Sequence, residues 1–457
     1  MSSFNRMYES FKLFSDVANR KKDKLFIQLS AGANWLPAGR SLTRCLHNEL
    51  DSELTYRNYG RSAGAYGVTT ALEQVEDVLS SGRYRPAVTV TNGTTEGARL
   101  VFELLFSERR AQHGDVALMV GHGFPLYSHL SARFGLNFRE VLCDTDHESE
   151  GYLPSMDRVI HQIENDMPTI VFLIVPNNPI GERYSEVEMS ALVRACSTIE
   201  ATLLVDRVCL MPWDDYCDLG RAVAPALESG RCFVVDSFSK SESLAGLRTG
   251  FVVSNHSDRD RLIELTRAWW LNPVVFSTLT LALSRIAMIT NIPNREDDTA
   301  TLREWGAEVI EHLINDCASR CDGRNLQALF TEFQEDYRRD LNDRHQVVSE
   351  NYRTLCDRFG AFATRPMKLD AGFNVAVTLQ QMIPDNEASD LQRLANDHGV
   401  GLLTESCFRN TKRTHANYFV RIGLTLPPGD FQDGLKAMGT YFDPSRHYCT
   451  PVPQAGA

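Results

Sequence analysis

The sequence has no excess of basic residues and no long hydrophobic run. Lys and Arg total 47 against 59 Asp and Glu, which gives a formal net charge of -12 and argues against the basic surface that binds nucleic acid. The longest apolar stretch, 279–289, contains Arg285 and is shorter than the roughly 20 residues that a transmembrane helix needs. We therefore predict neither a nucleic-acid partner nor a membrane-spanning segment.

The sequence also lacks a regular cysteine pattern and a visible secretory signal. Its 11 cysteines are an odd number without disulfide-framework or zinc-ligand spacing. Cys317 and Cys321 come nearest to a metal-ligating pair, but no second pair stands near them, so no metal site is predicted. Residues 1–20 have no hydrophobic stretch behind a basic start. We expect a reduced, cytoplasmic compartment.

What is present is enough apolar sequence for a large core. The chain has 457 residues, of which 43% are hydrophobic, so it exceeds the length at which a single core stops growing, and two domains are expected. Continuous apolar runs such as 170–175 and 203–205 are typical of parallel strands that are covered on both faces. Apolar residues between Phe4 and Ala18 recur at helical spacing and predict an amphipathic helix.

The most informative segment is 236–250, a polar loop between the apolar runs 233–235 and 251–253. It is therefore predicted to connect two strands. Lys240 lies in this loop within a run of serines, and Arg248 follows eight positions later. A lone lysine in a loop is usually a solvated surface group, but Ser-x-Ser-Lys followed by Arg is unusual between two buried strands.

Other polar residues follow the predicted strands. Gly93, Thr94 and Thr95 open a helix after the strand 87–91, and such a helix start can bind a phosphate. Taken alone, this turn is explained as well by a capping box with Thr94 as the cap. Asp206 stands at the end of the run 203–205, where open α/β sheets bind ligands.

Arg421 lies in an apolar segment, 419–424, that is predicted to be a strand. A buried arginine needs a partner, and its planar guanidinium matches a carboxylate through two parallel hydrogen bonds. Such a group serves either a structural ion pair or a ligand carboxylate.

Together these segments resemble the fold type I pyridoxal 5'-phosphate (PLP)-dependent enzymes of the aminotransferase class I/II superfamily. The resemblance implies an α/β protein whose large domain has a mainly parallel central sheet and whose smaller C-terminal α/β domain uses both chain ends. It divides the chain into an N-terminal arm with part of the small domain (1–55), a PLP-binding domain (56–290), a helical insertion (291–335) and the small domain (336–457).

The resemblance also implies roles for individual residues. Lys240 carries the cofactor as a Schiff base, Asp206 keeps the ring nitrogen protonated, and Tyr127 lies flat on the ring, with Phe124 as its rival. The implied catalytic residues are Lys240, Asp206 and Tyr127. The implied cofactor-binding residues are Gly93, Thr94, Thr95, Tyr127, Asn178, Asp206, Cys209, Ser237, Ser239, Lys240, Arg248 and Tyr59.

The same resemblance implies how substrate and subunits are arranged. Arg421 holds the α-carboxylate of an amino-acid substrate, and Asn178, Gly32 and Asn34 are further substrate-binding candidates. The protein forms a homodimer with the site at the interface, where Tyr59 reaches the cofactor phosphate of the neighbouring subunit. The N-terminal helix either packs on its own domain or is exchanged between subunits.

One position departs from the pattern of the family. Cys209 stands three residues after Asp206, where the family usually has a Tyr that donates to the 3'-oxygen of the ring. A thiol is a weak donor, so this residue puts ordinary fast transamination in doubt. The alternative is that Cys209 only packs behind the ring while a neighbour supplies the donor.

The implied function is that of an aminotransferase-like enzyme on an L-α-amino acid, through an external aldimine and a quinonoid carbanion. The alternative is a lyase or transferase that uses the same carbanion for β- or γ-elimination, replacement or cyclisation in specialised biosynthesis. One example is the reaction of 1-aminocyclopropane-1-carboxylate synthase on S-adenosylmethionine. A third hypothesis, a catalytically silent binding protein, is disfavoured by the intact Lys240, Asp206 and Arg248.

Overall fold

The structure is a computed structural model that describes residues 2–20, 26–30, 32–51, 61–143, 151–268, 276–290, 306, 308–309, 326–413 and 416–442. Within these residues, seven strands form the central sheet in the order β2-β8-β7-β6-β5-β3-β4. They are β2 (Ala87–Thr91), β3 (Val116–Val120), β4 (Asn137–Val141), β5 (Ile170–Ile174), β6 (Thr202–Asp206), β7 (Cys232–Ser237) and β8 (Gly250–Ser254).

The central sheet is mainly parallel, as predicted. Only β8 runs antiparallel to its neighbours β2 and β7, among the strand pairs described. Every residue of β5 and β6 is buried, because helices cover both faces of the sheet. In β5, Val171 and Leu173 join the core on one face, and Phe172 and Ile174 join the core on the other.

Helices flank both sheet faces and continue into the smaller domain. The described α-helices are α1 (Ser3–Arg20), α2 (Arg40–Leu50), α3 (Tyr66–Leu79), α4 (Thr94–Ser107), α5 (Leu126–Arg133), α6 (Met156–Asp166), α7 (Glu186–Thr198), α8 (Cys217–Glu228), α9 (Phe238–Ser241), α10 (His256–Ala268), α11 (Thr278–Ile289), α12 (Leu326–Phe359), α13 (Glu387–Arg393) and α14 (Pro428–Tyr441).

The smaller domain combines residues from both ends of the chain. In its sheet, β12 (Val420–Gly423) lies between β11 (Leu403–Thr404) and β9 (Asn374–Val377), antiparallel to both. Near the N-terminus, β1 (Ile27–Gln28) pairs in parallel with β10 (Val400–Gly401). Leu29 packs in the same core as residues of β9, β12 and α14, so the N-terminal segment contributes to this domain.

The long helix α12 passes through residue 335, where the sequence analysis places the end of the insertion. Most of the segment 291–325 lies outside the described residues. The division of the chain at 55, 290 and 335 therefore stays a prediction. What the structure adds is that a single helix leads into the small domain without a break at the predicted boundary.

Candidate active site

The strand register brings the polar residues singled out above to one edge of the central sheet. Asp206, the last residue of β6, is paired with Val235 of β7. Because β8 is antiparallel to β7 and β2, its first residue, Gly250, lies opposite Ser237 and Thr91, where those strands end. Three segments therefore meet at this edge. Two of them follow β2 and β7, and the third precedes β8.

Lys240 lies in the single-turn helix α9, directly after β7. The Ser237 hydroxyl caps this helix by accepting a hydrogen bond from the Ser239 amide at 3.2 Å. Burial lowers the pKa of Lys240 from its ordinary value, and Cys209 opposes this shift. No residue of the described structure forms an ion pair with the Lys240 amine. A buried amine with a lowered pKa is more often uncharged, which is the form that attacks a carbonyl.

Asp206 is a buried carboxylate held by two donors. The Tyr127 hydroxyl donates to Oδ2 at 2.6 Å, and the Val208 amide donates to Oδ1 at 3.0 Å. Burial raises the pKa of Asp206 to about 6, although both hydrogen bonds lower it. No Lys, Arg or His side chain of the described residues lies within ion-pair distance of this carboxylate. The site thus contains an oriented buried carboxylate that can accept a cationic partner.

Tyr127, which is predicted to lie flat on the cofactor ring, is buried beside Asp206. Its side chain is 1% exposed, its ring packs 5.1 Å from the ring of Phe172, and its hydroxyl is bound to Asp206. Phe124, the rival residue, is 37% exposed. The structure thus shows Tyr127 as a hydrogen-bond donor for Asp206, and its predicted place on the cofactor ring stays a prediction.

The start of α4 and Arg248 form a cradle for an anion. Gly93 is the N-cap of α4, with φ at 87°, and a Cβ at this residue would lie 2.9 Å from Nη2 of Arg248. Arg248 has no carboxylate partner among the described residues. Thr94 and Thr95 are the first residues of the helix, whose amides have no acceptor within it. A backbone with free amides next to a guanidinium that donates only to a backbone carbonyl is suited to bind a phosphate.

The helix cap itself differs from one of the sequence-based alternatives. The capping box with Thr94 as the cap is wrong, because the helix begins at Thr94 and Gly93 is the cap. Glu96 instead accepts a hydrogen bond from the Asn92 amide at 2.6 Å. The hydroxyl of Thr94 is therefore not used to cap the helix.

Arg421 lies in β12 of the small domain and is 1% exposed. Its Nη1 donates to Oδ1 of Asn178 at 2.8 Å, and its Nη2 donates to the carbonyl of Ser30. Its Nε is buried without a hydrogen-bond partner. Burial lowers the pKa of Arg421 to about 10, which is the opposite of what a carboxylate partner would do.

Gly32 adjoins this guanidinium. A Cβ at residue 32 would come within 2.9 Å of Nη2 of Arg421, so a larger residue would compete for the space around the arginine. The ring of Phe408 lies on another side, with its centroid 4.9 Å from Cζ. Among the described residues no carboxylate pairs with Arg421, so the guanidinium is available to an anionic ligand.

Cys209 and Asn34 are also close to the lysine. Burial raises the pKa of the Cys209 thiol to about 12, and the charges of Asp206 and Lys240 both act on it. The thiol is therefore neutral and a poor nucleophile. Asn34 donates from Nδ2 to the backbone carbonyl of Lys240 at 2.8 Å. Tyr59 lies outside the described residues, so its predicted role stays a prediction.

Sequence reasoning missed a buried ionic network next to the lysine segment. Arg207 donates to Asp236 at 2.9 Å and to Glu76 at 2.9 Å, and Arg285 donates to the other oxygen of Asp236 at 3.1 Å. Asp236 immediately precedes Ser237, so this network anchors the end of β7. Arginines inside apolar segments could have signalled it, since each needs a carboxylate partner, but the sequence does not reveal which carboxylate.

The arrangement fits PLP, the cofactor that the resemblance implies. The cradle of Gly93 and Arg248 suits its phosphate, Asp206 suits its ring nitrogen, and the unpaired Lys240 suits its aldehyde. A cavity of about 810 Å³ is lined by Asn92, Thr95 and Arg248 together with residues of α4 and α5, and its lining does not include Lys240 or Arg421. The cavity therefore adjoins the cradle.

Other kinds of site are not seen in the described part of the chain. No group of three or more His, Cys, Asp or Glu side chains there is arranged to hold a metal ion. None of the helices in the same residues combines the length and the apolar character needed to cross a membrane.

Solved structures of aminotransferases have the same fold. An aminotransferase from Mycobacterium tuberculosis superposes with a TM-score of 0.69 at 19% identity, covering 94% of this chain and 95% of that chain. An aspartate aminotransferase double mutant from Thermus thermophilus gives 0.67 at 18% identity, covering 94% and 96%. The protein thus has the α/β fold of the fold type I PLP-dependent aminotransferases, as predicted.

Curated relatives match over part of their length. A histidinol-phosphate aminotransferase of Ruminiclostridium cellulolyticum is 24% identical over 264 residues, which cover 57% of this chain and 65% of the relative. Histidinol-phosphate aminotransferase 2 of Oceanobacillus iheyensis is 28% identical over 170 residues, or 37% of this chain and 44% of the relative. This chain therefore spans between about half and two thirds of the length of these relatives.

The sequence profile described as "Aminotransferase class I and II" matches residues 25–430. Because the match covers most of the chain, the chain belongs to the aminotransferase class I and II family. Members of this family depend on PLP, and the predicted family and cofactor are confirmed at this level.

Proposed function

We propose that the protein is an aminotransferase that uses PLP to accept the amino group of an L-α-amino acid. The supporting observation is the charge pattern of the site. Arg248, Lys240 and Arg421 lack carboxylate partners within the described structure, and Asp206 is buried without a cationic partner. The phosphate of PLP would pair with Arg248, and the α-carboxylate of an amino acid would pair with Arg421. The protonated ring of PLP would pair with Asp206.

When PLP is bound, its ring withdraws electrons from the α-carbon of the amino acid and so makes the α-proton acidic. The chain contributes Asp206 to keep a proton on the ring nitrogen. Tyr127 and Val208 hold that carboxylate in place. Each pKa unit that the carboxylate adds to the ring nitrogen corresponds to about 1.4 kcal/mol.

Lys240 is the proposed base that moves the proton. It has no ion-pair partner in the described residues, and burial lowers the pKa of its amine. Both properties favour an uncharged amine that can accept a proton from a carbon atom next to it. The hydrogen bond between the Ser239 amide and the Ser237 hydroxyl caps the helix and does not involve the lysine side chain.

Arg421 is the proposed receptor of the α-carboxylate, with Asn178 as its orienting neighbour. A bidentate carboxylate would satisfy donors of a guanidinium that now bonds only neutral oxygens. Phe124, as the more exposed aromatic residue, is proposed to cover the cofactor ring in place of Tyr127. A homodimer with a shared site and a cytoplasmic location stay predictions.

The relatives named above are all aminotransferases, which favours amino transfer over the elimination, replacement or cyclisation considered from sequence. Cys209 is the residue that raised this alternative. Its thiol is neutral and buried, a state compatible with packing alone, so it favours neither reaction.

The test is spectroscopic. Purified protein with PLP is expected to show the absorbance of lysine-bound cofactor and to lose it on treatment with borohydride. Incubation with a panel of L-amino acids should then convert the cofactor to pyridoxamine phosphate and release a keto acid. S-Adenosylmethionine is included in the panel as the substrate of the alternative. Lack of pyridoxamine phosphate with every donor would contradict amino transfer.

A further inference from the structure

A short N-terminal segment touches both the lysine and the arginine of the site. Asn34 donates to the Lys240 carbonyl at 2.8 Å. Two residues earlier, Gly32 adjoins the guanidinium of Arg421, and the Ser30 carbonyl accepts a hydrogen bond from the same guanidinium. Residues that belong to the small domain thus reach the backbone of the lysine in the large domain.

The side-chain amide of Asn34 has a defined orientation. Its Oδ1 accepts a hydrogen bond from the Leu36 amide at 3.1 Å, while its Nδ2 donates to the Lys240 carbonyl. A backbone amide can only donate and a carbonyl can only accept, so both partners require the same orientation. Asn34 is 8% exposed, so water competes little for these two hydrogen bonds.

The lysine backbone lies at the end of α9, a helix with a single turn. Within the backbone, the Lys240 carbonyl accepts a long hydrogen bond from the Ser243 amide at 3.4 Å and one from the amide of Glu242, the C-cap of α9. The next carbonyl, of Ser241, accepts from Arg344 of α12 at 2.6 Å. The end of the helix that carries the lysine is therefore held by side chains from outside the helix.

We propose that Asn34 is a positioning residue, which fixes the backbone of Lys240 so that its amine points at the cofactor aldehyde. This inference rests on the proposed function. In the step concerned, the Lys240 amine adds to the aldehyde carbon of PLP, a carbon–nitrogen double bond forms and water leaves. A misplaced amine slows this step, since a displacement of about 1 Å can cost on the order of 100-fold in rate.

The test measures the attachment of PLP to the cofactor-free protein. In Asn34→Ala, the rate at which the absorbance of lysine-bound PLP appears should fall by about 10-fold to 100-fold. The pH at which that absorbance is half-maximal should also shift, because the amine of Lys240 would then lie in a different environment. KM for the amino acid should change by less than about twofold, because the contacts of Arg421, the proposed receptor of the α-carboxylate, do not involve the Asn34 side chain.

Two further variants separate positioning from loss of structure. Asn34→Asp keeps the shape and the acceptor for Leu36 but loses the donor, so it should slow attachment as Asn34→Ala does. Asn351→Ala is the matched control, since Asn351 is 1% exposed and donates to the carbonyls of Leu424 and Leu426 at 2.9 Å each. It should lower the free energy of unfolding without slowing attachment.

The outcomes distinguish this inference from the proposed function. Wild-type protein that attaches no PLP would overturn the proposed function. Wild-type attachment at a rate that Asn34→Ala and Asn34→Asp leave unchanged would overturn the role of Asn34 alone. Equal slowing in the Asn351→Ala control would also overturn it, because the effect would then reflect general loosening of the fold.

Discussion

The buried arginines near Lys240 fall into two groups that differ in their partners. Arg207 and Arg285 pair with carboxylates of Glu76 and Asp236, and the charges of these partners raise the pKa of both guanidinium groups against the effect of burial. Arg421 bonds only neutral oxygens, and burial lowers its pKa to about 10. The same side chain thus occurs in two electrostatic states within one protein.

The difference indicates which arginine serves the fold and which serves a ligand. A buried charge without an ionic partner destabilises the folded state. Such a charge is therefore expected where a ligand of opposite charge binds to it. An arginine that is already paired with a carboxylate of the protein is not available to bind a ligand in this way. The variants described next test this distinction, beginning with Lys240.

The largest effect is expected for Lys240→Ala. Loss of the amine removes both the attachment point of PLP and the proposed base, so turnover should fall by roughly 1,000-fold or more. The cofactor-free variant should unfold at the same denaturant concentration as the wild type or a higher one, because an unpaired buried amine is removed. Lys436→Ala, at an exposed position of α14, is the control and should retain turnover.

Arg207→Met tests the paired group. It leaves Glu76 without its partner and Asp236 with Arg285 alone, so the free energy of unfolding should fall by about 3–5 kcal/mol. Urea denaturation of the cofactor-free protein measures this change. Adding Glu76→Gln should restore part of the loss, because it removes the stranded charge. A stability equal to that of the wild type would remove the distinction between the two groups.

Arg421→Leu tests the unpaired arginine. Its kcat/KM for the amino acid should fall by an amount equivalent to about 2–5 kcal/mol, while the free energy of unfolding stays constant or rises. Arg421→Lys keeps the charge but loses the planar fork and should recover only part of the activity. A variant that is destabilised as strongly as Arg207→Met would place Arg421 with the structural group.

Asp206→Asn tests whether the unpaired Asp206 carboxylate lowers the free energy of unfolding in a pH-dependent way. The pKa of Asp206 is about 6 in the folded protein against 3.8 for the free group. The folded state therefore binds this proton more tightly than the unfolded state does. The resulting contribution of Asp206 to the free energy of unfolding is complete below pH 3.8 and is lost as the pH rises through 6. At pH 8 the cofactor-free variant should be more stable than the wild type by up to about 3 kcal/mol.

The same titration contains its own control. The stability difference between Asp206→Asn and the wild type should shrink as the pH falls from 8 to 4, because the wild-type carboxyl then becomes neutral. With PLP bound the order should reverse, since the ring nitrogen loses its counter-charge in the variant. A difference that does not depend on pH would contradict the raised pKa.

The smallest effect is expected for Tyr127→Phe. The variant removes one of the two donors to Asp206, so the midpoint of the stability titration should move upward by about one pH unit, corresponding to a hydrogen bond of about 1.4 kcal/mol. Phe124→Leu should leave this midpoint unchanged and weaken PLP binding instead. The reverse pattern would favour the role of Tyr127 that is predicted from sequence.

The sequence by itself determined the central strands β2, β5, β6, β7 and β8, the lysine loop and the acidic residue at the end of β6. It could do so because strand runs and the residues that follow them are local features, and because a loop at a strand end has a known place in an α/β sheet. The family and the fold class followed from the order of these local segments and are confirmed.

The tertiary structure alone decided which side chains meet. The bond between Tyr127 and Asp206 joins residues 79 positions apart, the contact of Arg207 with Glu76 spans 131, and that of Asn34 with Lys240 spans 206. No local pattern encodes such pairs, because each depends on the packing of elements that are distant in the chain. For the same reason, spacing could assign Arg421 to a strand but could not show that the folded chain leaves it without a carboxylate.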